Sequence, residues 1–483
     1  MDWNFRPAGE LAAALRAGEV SSVELTEAAI AGIERDDGAV NAICVSDFDR
    51  ARAAARHADQ ACGRGEDRPL LGVPVTVKES YNMTGLATTW GMPQHRDFVP
   101  AEDAVQVSRL RAAGAVVLGK TNVPLGLQDL QSFNEIYGTT SNPWDLDRTP
   151  GGSSGGSAAA LAAGFGALSI GSDIGGSLRT PAHFCGVYAH KPTLGLVASR
   201  GMVPPAAPAL PAGPDLAVAG PMARTARDLE LLLDVMAGPD PLTLGVAHEL
   251  VLPPARHRRL RDFRVLVLDE HPFIATGAAV RAGVDRVADA LADGGARVER
   301  HSPLLPDLAE AATLYMLLLF SGSAARFPAD VYEQLRARAA GLSADDRSLG
   351  AARLRGTVLS HRDWIQADSR REFHRHGWRE LFAEFDVVVC PITPTPAFPH
   401  DHDPDLLGRR IDVDGVGYPY LDQLVWAGLA TMPGLPATAV PAGRSPEGLP
   451  VGVQLVGPMF GDRTTLRLAD LLEQRIGGFR APE

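Results

Sequence analysis

Cysteine is scarce in this chain, and the few cysteines it has are far apart. The 483 residues include only Cys44, Cys62, Cys185 and Cys390. None of them forms a CxxC pair, and their spacing matches neither a zinc site nor a dense disulfide framework. We therefore expect reduced thiols and a cytoplasmic protein, because disulfides persist mainly in oxidising compartments.

Long apolar runs and an excess of basic charge are absent as well. The most apolar stretches, Ala158–Ile170 and Leu314–Phe320, are shorter than the roughly 20 residues that a membrane-spanning helix needs. The first ten residues carry no basic segment followed by an apolar run, so no signal peptide is expected. The net charge of −12 argues against nucleic acids and anionic membranes as partners, because both attract basic surfaces.

The rest of the composition is that of an ordinary globular enzyme. Hydrophobic residues make up 45% of the chain and charged residues 22%, so disorder is not expected. Helical and β-branched segments alternate along the chain, which favours an α/β fold with a largely parallel sheet. No internal repeat or linker marks a domain boundary, and the Pro-rich stretch Pro204–Pro214 is interpreted as a loop. The sequence therefore predicts a single domain over residues 1–483.

Local patterns predict several individual elements. Ser21 and Glu24 have the spacing of a capping box at the start of a helix. Leu70–Val77 is rich in β-branched residues and predicts a strand, with Lys78 at its end. Further helices are predicted over Ala51–Ala61, Asp103–Ala113, Ser157–Phe165, Ala278–Asp293 and Arg463–Ile476. Further strands are predicted over Ala115–Leu118, Phe263–Leu268, Phe385–Cys390, Thr438–Val440 and Val451–Val456.

Two Gly-Gly-Ser turns stand out between residues 150 and 186, one containing Ser153 and the other ending in Ser177. A serine hydroxyl is a weak nucleophile that needs a base within hydrogen-bond reach. The tetrahedral intermediate of acyl transfer needs backbone N–H donors where the oxyanion forms. Because glycine tolerates positive φ, a turn containing Gly175 and Gly176 can direct several N–H groups inward. We therefore interpret Ile174, Gly175, Gly176 and Ser177 as an oxyanion hole around its own nucleophile.

Lys78 is the strongest candidate for the base. None of the thirteen histidines lies in a distinctive stretch, whereas Lys78 ends an apolar strand. A lysine with an ordinary pKa near 10.4 is almost fully protonated at pH 7. Burial must therefore lower the pKa to roughly 7–8 for efficient base catalysis. A second serine between the lysine and the nucleophile would relay the proton, and spacing alone leaves both Ser153 and Ser154 open for that role.

Two motif matches and one residue pair admit other interpretations. Gly114–Thr121 matches the Walker A pattern, but its inner residues are apolar and predict a strand instead of a phosphate-binding loop. Gly152–Gly156 matches the nucleophile elbow of α/β-hydrolases, which would make Ser154 the nucleophile and would need a later acid and histidine. Asp173 and Arg179 flank Ser177. A structural ion pair or loop anchor is favoured for them over a role in orienting the substrate.

The motifs that contain these residues resemble those of the amidase signature family. The resemblance covers nearly the whole chain, and the 24-residue separation of Ser153 and Ser177 is its most specific feature. The matching motifs are PVTVKES around Lys78, GKTNVP at Gly119–Pro124, NPWD at Asn142–Asp145, the Pro150–Gly186 segment, KPT at Lys191–Thr193 and GLPVGVQLVGP at Gly448–Pro458.

The resemblance implies a fold and a site. The implied fold is an α/β domain with a central mixed sheet and helices on both sides, a catalytic core over residues 65–200, and a helical segment over 300–380 near the substrate entrance. In the family pattern Ser177 is the nucleophile, Ser153 relays the proton, often through a cis peptide, and Lys78 is the base. Supporting roles would fall to Ser154, Asp173 and Arg179. The resemblance implies no cofactor and no metal.

The resemblance leaves three functions open. The first is a stand-alone amidase that converts a small-molecule carboxamide to an acid and ammonia or an amine, with esters and carbamates as further candidate substrates. The second is the catalytic A-type subunit of a tRNA-dependent amidotransferase. The third is a non-catalytic homologue, which the intact Lys78, Ser153 and Ser177 argue against. Because Tyr81–Met92 and Leu125–Phe133 do not look like the amidotransferase pattern, the stand-alone amidase is favoured, with a homodimer as a further expectation.

Overall fold

The computed structural model describes residues 3–207, 215–325 and 327–482. Most of the Pro-rich stretch predicted to be a loop, residues 208–214, lies outside the described residues. The strands of the described chain are β1 (Ile43–Ser46), β2 (Pro74–Lys78), β3 (Val116–Thr121), β4 (Phe133–Asn134), β5 (Gly138–Thr139), β6 (Leu168–Asp173), β7 (Tyr188–Lys191), β8 (Val218–Ala223), β9 (Arg264–Val267), β10 (Arg297–Glu299), β11 (Val387–Pro391), β12 (Arg410–Val413), β13 (Val416–Pro419), β14 (Ala437–Arg444) and β15 (Pro450–Val456).

A single mixed sheet of eleven strands forms the centre of the described molecule, and β4–β5 and β12–β13 form two small separate ladders. The strand order is β1-β3-β2-β6-β8-β7-β14-β15-β11-β9-β10. The pairs β2–β3, β2–β6, β9–β10 and β9–β11 are parallel, whereas the other neighbours are antiparallel. The largely parallel sheet suggested by helix–strand alternation is therefore wrong. Short connections such as the β14–β15 hairpin can join only antiparallel strands.

Helices cover both faces of the sheet. In the described part of the chain they are α1 (Ala8–Ala17), α2 (Ser22–Val40), α3 (Phe48–Gly63), α4 (Val105–Ala112), α5 (Gly155–Ala162), α6 (Arg179–Cys185), α7 (Ala226–Met236), α8 (Ala278–Asp293), α9 (Leu308–Ala324), α10 (Ala329–Ala340), α11 (Leu349–Thr357), α12 (His361–Glu384), α13 (Leu424–Thr431) and α14 (Asp462–Ile476). None of these helices is long and apolar enough to cross a membrane.

Alternating side chains of the sheet belong to two separate cores. On β9, Val265 and Val267 pack into one cluster with residues of α7, α8 and α14. The residue between them, Leu266, packs into a second cluster with residues of α9, α12 and α13. Successive strand residues face opposite sides of a sheet, so each side needs its own helical layer. The expected α/β fold, a mixed sheet flanked by helices on both sides, is confirmed.

Several local predictions are also confirmed by the structure. The hydroxyl of Ser21 accepts a hydrogen bond from the Glu24 amide, and the Glu24 carboxylate accepts one from the Ser21 amide at 2.8 Å, completing the capping box of α2. Helix α8 has the predicted bounds. Strand β2 is shorter than predicted, because Leu70–Gly72 form a turn before it.

The parallel strands β2 and β6 bring the predicted site together. Lys78 is the last residue of β2 and Asp173 the last residue of β6, and the two strands pair directly. Carboxyl ends of adjacent parallel strands lie at the same edge of a sheet. Helix α5 packs against both strands, and all of its residues are buried. Because every one of them except Leu161 is Gly, Ala or Ser, the helix can approach the sheet closely. This packing places the Ser153 turn over the end of β2.

Candidate active site

Three serine hydroxyls surround the Lys78 amine. Lys78 Nζ donates to Ser153 Oγ at 2.7 Å, to Ser154 Oγ at 2.9 Å and to Ser172 Oγ at 3.0 Å. The lysine side chain is fully buried. The two serines left open by spacing therefore both reach the amine, together with Ser172, a third serine that the sequence did not single out.

The hydrogen-bond directions distinguish Ser153 from Ser154. The Ser154 hydroxyl donates to the Ser172 carbonyl oxygen at 3.3 Å, so toward Lys78 it serves as an acceptor. The Ser153 hydroxyl has no other acceptor among the described residues, and it also lines the cavity in front of the site. A neutral amine carries a lone pair, and Ser153 is placed to donate to it. This geometry favours Ser153 for a proton relay.

Burial lowers the pKa of Lys78 to about 7, and the nearby Asp173 carboxylate opposes that shift. An amine with this pKa is neutral in a substantial fraction of molecules at neutral pH. It can therefore accept a proton without first having to overcome the full basicity of free lysine. Efficient base catalysis requires a lysine whose pKa is lowered toward neutral pH. The buried position of Lys78 at the end of β2 provides that lowered pKa.

Ser177 lies at the cavity surface next to the Ser153 turn. Its side chain is 6% exposed, and both Ser153 and Ser177 line the same cavity. The Ser154 amide donates to the Ser177 carbonyl oxygen at 3.1 Å, which ties the two Gly-Gly-Ser turns together. The peptide between Gly152 and Ser153 is cis, as the family resemblance implies. A Cβ on Gly152 would lie 2.2 Å from the Gln131 carbonyl oxygen, so this turn requires glycine.

The four predicted oxyanion donors differ in their surroundings. The Gly176 amide donates to the Asp173 carboxylate at 3.0 Å, so it is engaged elsewhere. The amides of Ile174, Gly175 and Ser177 have no acceptor among the described residues. Ile174, Gly175 and Ser177 also line the cavity. Three of the four predicted amides are therefore available to a ligand, and Gly176 supports the turn instead.

Asp173 and Arg179 form a buried, bidentate ion pair that braces this turn. Both side chains are fully buried, and the Arg179 guanidinium donates to the two carboxylate oxygens at 2.8 and 3.0 Å. Its remaining donors go to the Ala427 carbonyl, Thr431 and Gln454. Burial alone would raise the pKa of Asp173, but the Arg179 charge and hydrogen bonds outweigh it and lower the pKa to about 2. These contacts favour the loop-anchor interpretation, because all five N–H donors of the Arg179 guanidinium are already engaged by protein groups.

The two alternative motifs adopt structures that do not suit their alternative chemistry. Val116–Thr121 is the fully buried strand β3, so the Walker A match is a strand and not a phosphate-binding loop. Ser154 is fully buried between Lys78 and Ser172, where a substrate carbonyl has no access to it. The nucleophile-elbow interpretation is therefore not supported.

An apolar cavity of about 370 Å³ opens in front of Ser153 and Ser177. Its walls come from segments that are far apart in sequence. The apolar lining residues include Trp90, Leu127, Leu130, Ile174, Met202, Leu216, Leu318, Leu319, Phe320, Phe327, Trp364, Leu406, Leu421 and Leu424. Three of the four helices between residues 300 and 384 pack in the second core, and α9 and α12 contribute to these walls.

The charged residues at the cavity wall are already paired. The Asp129 carboxylate accepts hydrogen bonds from Arg409 at 2.6 Å and from the Tyr420 hydroxyl at 2.7 Å. The Asp215 carboxylate accepts from Arg371 at 2.7 and 3.0 Å. Among the described lining residues, no charged side chain other than Asp129, Asp173 and Asp215 faces the cavity. The described lining is therefore suited to an apolar group, and none of its described residues offers an unpaired cation to a ligand carboxylate.

The sequence did not single out Ser172 or Tyr315. Ser172 belongs to no recognisable motif of its own, although it stands one residue before Asp173. Tyr315 lies on α9, and its hydroxyl donates to the Ile174 carbonyl oxygen at 2.7 Å. A signal for the lysine was present in the sequence, since the chain has only three lysines among 46 basic residues. No comparable signal exists for Tyr315, which meets Ile174 only through the fold.

Comparisons with known proteins identify relatives over nearly the whole chain. The amidase family model matches residues 24–466. The A-type subunit of glutamyl-tRNA(Gln) amidotransferase from Roseiflexus sp. (strain RS-1) is 36% identical over 95% of this chain and 94% of its own length. A chain from a solved vestigial protein complex that reveals the evolutionary origins of an s-triazine catabolic enzyme is 32% identical, with a TM-score of 0.81 over 99% of this chain and 100% of that chain. The solved 6-aminohexanoate cyclic dimer hydrolase with substrate is 26% identical, with a TM-score of 0.77 over 100% and 99%.

Proposed function

Because this chain belongs to the amidase family, we propose that it hydrolyses carboxamides with Ser177 as nucleophile, Ser153 as proton relay and Lys78 as base. The observation that carries the proposal is the Lys78 amine, buried among serine hydroxyls behind a cavity that Ser153 and Ser177 line. A weak nucleophile, a tuned base and free amide donors are the three elements that acyl transfer requires.

The proposed reaction proceeds through an acyl-enzyme. Ser177 Oγ attacks the amide carbon while its proton passes to Ser153 and the Ser153 proton passes to Lys78. The carbonyl electron pair moves onto oxygen, which accepts hydrogen bonds from the free backbone amides. The C–N bond then breaks, and the relay returns one proton to the leaving nitrogen. Water attacks the resulting ester by the same route, giving the carboxylic acid and restoring Ser177.

We further propose that the substrate carries an apolar group, such as an aryl or medium-length alkyl chain. The apolar lining supports this substrate class, because burying apolar surface is the main source of affinity that such a wall offers. Esters and carbamates with the same apolar group are candidate substrates too, since both present a similar carbonyl to Ser177. A homodimer and a cytoplasmic location stay predictions.

A second candidate is the catalytic A-type subunit of a tRNA-dependent amidotransferase. Sequence similarity to the A-type subunits of amidotransferases favours this candidate over a simple linear-amide hydrolase. If free glutamine were the amide substrate of such a subunit, it would bring a carboxylate and an ammonium group into the cavity. Burying these two charges requires charged partners. The cavity acids Asp129 and Asp215 are already paired with Arg409 and Arg371, which argues against glutamine.

The deciding experiment uses the purified chain alone, without ATP. We expect turnover of an apolar carboxamide such as hexanamide or an anilide, and covalent labelling of Ser177 by a fluorophosphonate. Ser177→Ala should abolish both, whereas Ser154→Ala should still be labelled at Ser177. Labelling at Ser154 would contradict the assignment of the nucleophile. Turnover of glutamine only, dependent on partner subunits, would favour the amidotransferase.

A further inference from the structure

The peptide unit between Ile174 and Gly175 lies between the cavity and a buried phenol. Both residues line the cavity next to Ser177. Behind them Tyr315, from the middle of α9, is fully buried, and its hydroxyl donates to the Ile174 carbonyl oxygen at 2.7 Å. The tyrosine is 141 residues away in sequence and reaches the turn only because α9 packs beside it.

The direction of this carbonyl determines the direction of an amide. A trans peptide unit is planar, so its C=O and N–H point in opposite directions. The Ile174 carbonyl is directed toward Tyr315, which is not among the cavity-lining residues, so the Gly175 N–H of the same unit points away from Tyr315. That N–H has no acceptor among the described residues, whereas the next amide, of Gly176, is engaged by Asp173.

The phenol itself is held firmly. A Cβ on Gly428 would lie 2.5 Å from the Tyr315 ring, so α13 leaves space for the ring only because glycine stands there. Burial raises the pKa of the Tyr315 hydroxyl, which keeps it protonated and able to donate. A buried hydroxyl without an acceptor would be unfavourable, so the bond to Ile174 is maintained.

We propose that Tyr315 is a positioning residue that orients the Gly175 N–H as an oxyanion donor. This inference rests on the proposed function of Ser177 as the nucleophile. When Ser177 Oγ bonds to the carbonyl carbon, the developing oxyanion accepts a hydrogen bond from Gly175 N–H. Tyr315 does not touch the substrate, and it acts by fixing the peptide plane before the reaction begins.

The test is Tyr315→Phe, which removes the hydroxyl and keeps the ring. Loss of one oxyanion-hole donor lowers kcat by about 10²–10³-fold, and a disoriented donor should approach the lower end of that range. We expect kcat to fall by at least about tenfold with KM nearly unchanged. The inhibition constant of an apolar trifluoromethyl ketone, which forms a tetrahedral adduct with Ser177, should rise by the same factor as kcat/KM falls.

Two comparisons separate positioning from simple packing. Affinity for an apolar primary alcohol of matched length, which carries no charged oxygen and forms no tetrahedral adduct, should stay unchanged in Tyr315→Phe. Tyr188→Phe is the matched control: Tyr188 is also buried, but its hydroxyl bonds to Glu473 and not to the turn before Ser177, so kcat should be preserved. Equal losses for the ketone and the alcohol would assign Tyr315 a packing role and overturn the inference.

A second measurement covers the case in which Tyr315→Phe fails to fold. In a crystal structure of the wild-type ketone adduct, we expect the oxyanion within about 2.7–3.1 Å of Gly175 N. An oxyanion bound by other groups only would overturn the inference while leaving Ser177 as nucleophile. If the ketone formed no adduct with Ser177 at all, the proposed function itself would fail, so the two failures are distinguishable.

Discussion

At the scale of single residues, the lysines of this chain differ from its arginines because a lysine can become neutral. Lys78, Lys120 and Lys191 are the only lysines, and each is fully buried. Burial lowers the pKa of all three, to about 7 for Lys78 and Lys191. Arginine cannot release its proton at physiological pH, so a position that needs a neutral amine cannot use it. Only Lys78 is in contact with Ser153, which lines the cavity.

Lys78→Arg tests whether the residue acts as a base. The variant keeps a cation but cannot become neutral, so we expect kcat/KM to fall by about 10²–10⁴-fold, as for Lys78→Ala. In the wild type, kcat/KM should rise with pH through an apparent pKa of about 7 and then level off, because the base works only after losing its proton. Near-normal turnover of Lys78→Arg at pH 7 would reduce Lys78 to an electrostatic role. Thermal unfolding of each variant controls for misfolding.

At the scale of the element, the loop from β6 to α6 depends on one buried ion pair. Asp173 accepts hydrogen bonds from the Gly176 and Leu178 amides at 3.0 and 3.1 Å, and Arg179 neutralises its charge. Arg179 also connects this loop to α13 and β15 through Thr431 and Gln454. The geometry of the nucleophile loop is therefore fixed by groups that take no part in the proposed chemistry.

Arg179→Met should destabilise the protein markedly. Removing one partner from a buried pair leaves an uncompensated charge, which costs about 3–5 kcal/mol of unfolding free energy. Urea unfolding measures this loss. The pKa of Asp173 is lowered to about 2 from its usual 3.8, so the stabilisation is present above pH 4 and declines as pH falls toward 2. The difference between variant and wild type should shrink over that range.

The control for this prediction is an exposed pair on α10. Arg336 donates to Glu333, and both side chains are more than half exposed, so Arg336→Met should change the unfolding free energy very little. Equal effects of the two substitutions would contradict the anchoring role assigned to Arg179.

At the scale of the whole molecule, the cavity is an assembly of distant segments around one edge of the sheet. The end of α9 supplies Leu318 and Phe320, α12 supplies Trp364 and α13 supplies Leu424. The other walls come from the segments after β2, β3, β5, β6, β7, β11 and β13. Substrate preference is therefore a property of how these segments pack together, whereas the reacting groups come from β2, β6 and the turns beside them.

A series of straight-chain amides tests the apolar cavity. Burying one methylene group is worth about 0.8 kcal/mol, so kcat/KM should rise about fourfold for each added carbon until the cavity of about 370 Å³ is filled. An amide of matched length that ends in a carboxylate should be a much poorer substrate. A flat response to chain length, or a preference for the charged amide, would contradict the proposed substrate class.

Much of the site could be predicted from the sequence, because its signals are local. Glycines of the turns, the capping box of α2 and the apolar run before Lys78 each depend on a few neighbouring residues. The amidase family, the mixed sheet and the helices on both sides are confirmed. The parallel character of the sheet was overestimated, because alternation along the chain carries no information on which strands become neighbours.

The sequence by itself determined which residue types stand where chemistry is possible: two serines after glycine pairs and one lysine at the end of an apolar strand. Only the tertiary structure decided how they are connected. Ser154 is a hydrogen-bond acceptor toward Lys78 because its own hydroxyl donates to the Ser172 carbonyl oxygen. This contact depends on the pairing of β2 with β6. Tyr315 and the cavity walls come from remote segments. Such contacts arise from packing of buried apolar faces, which sequence spacing does not encode.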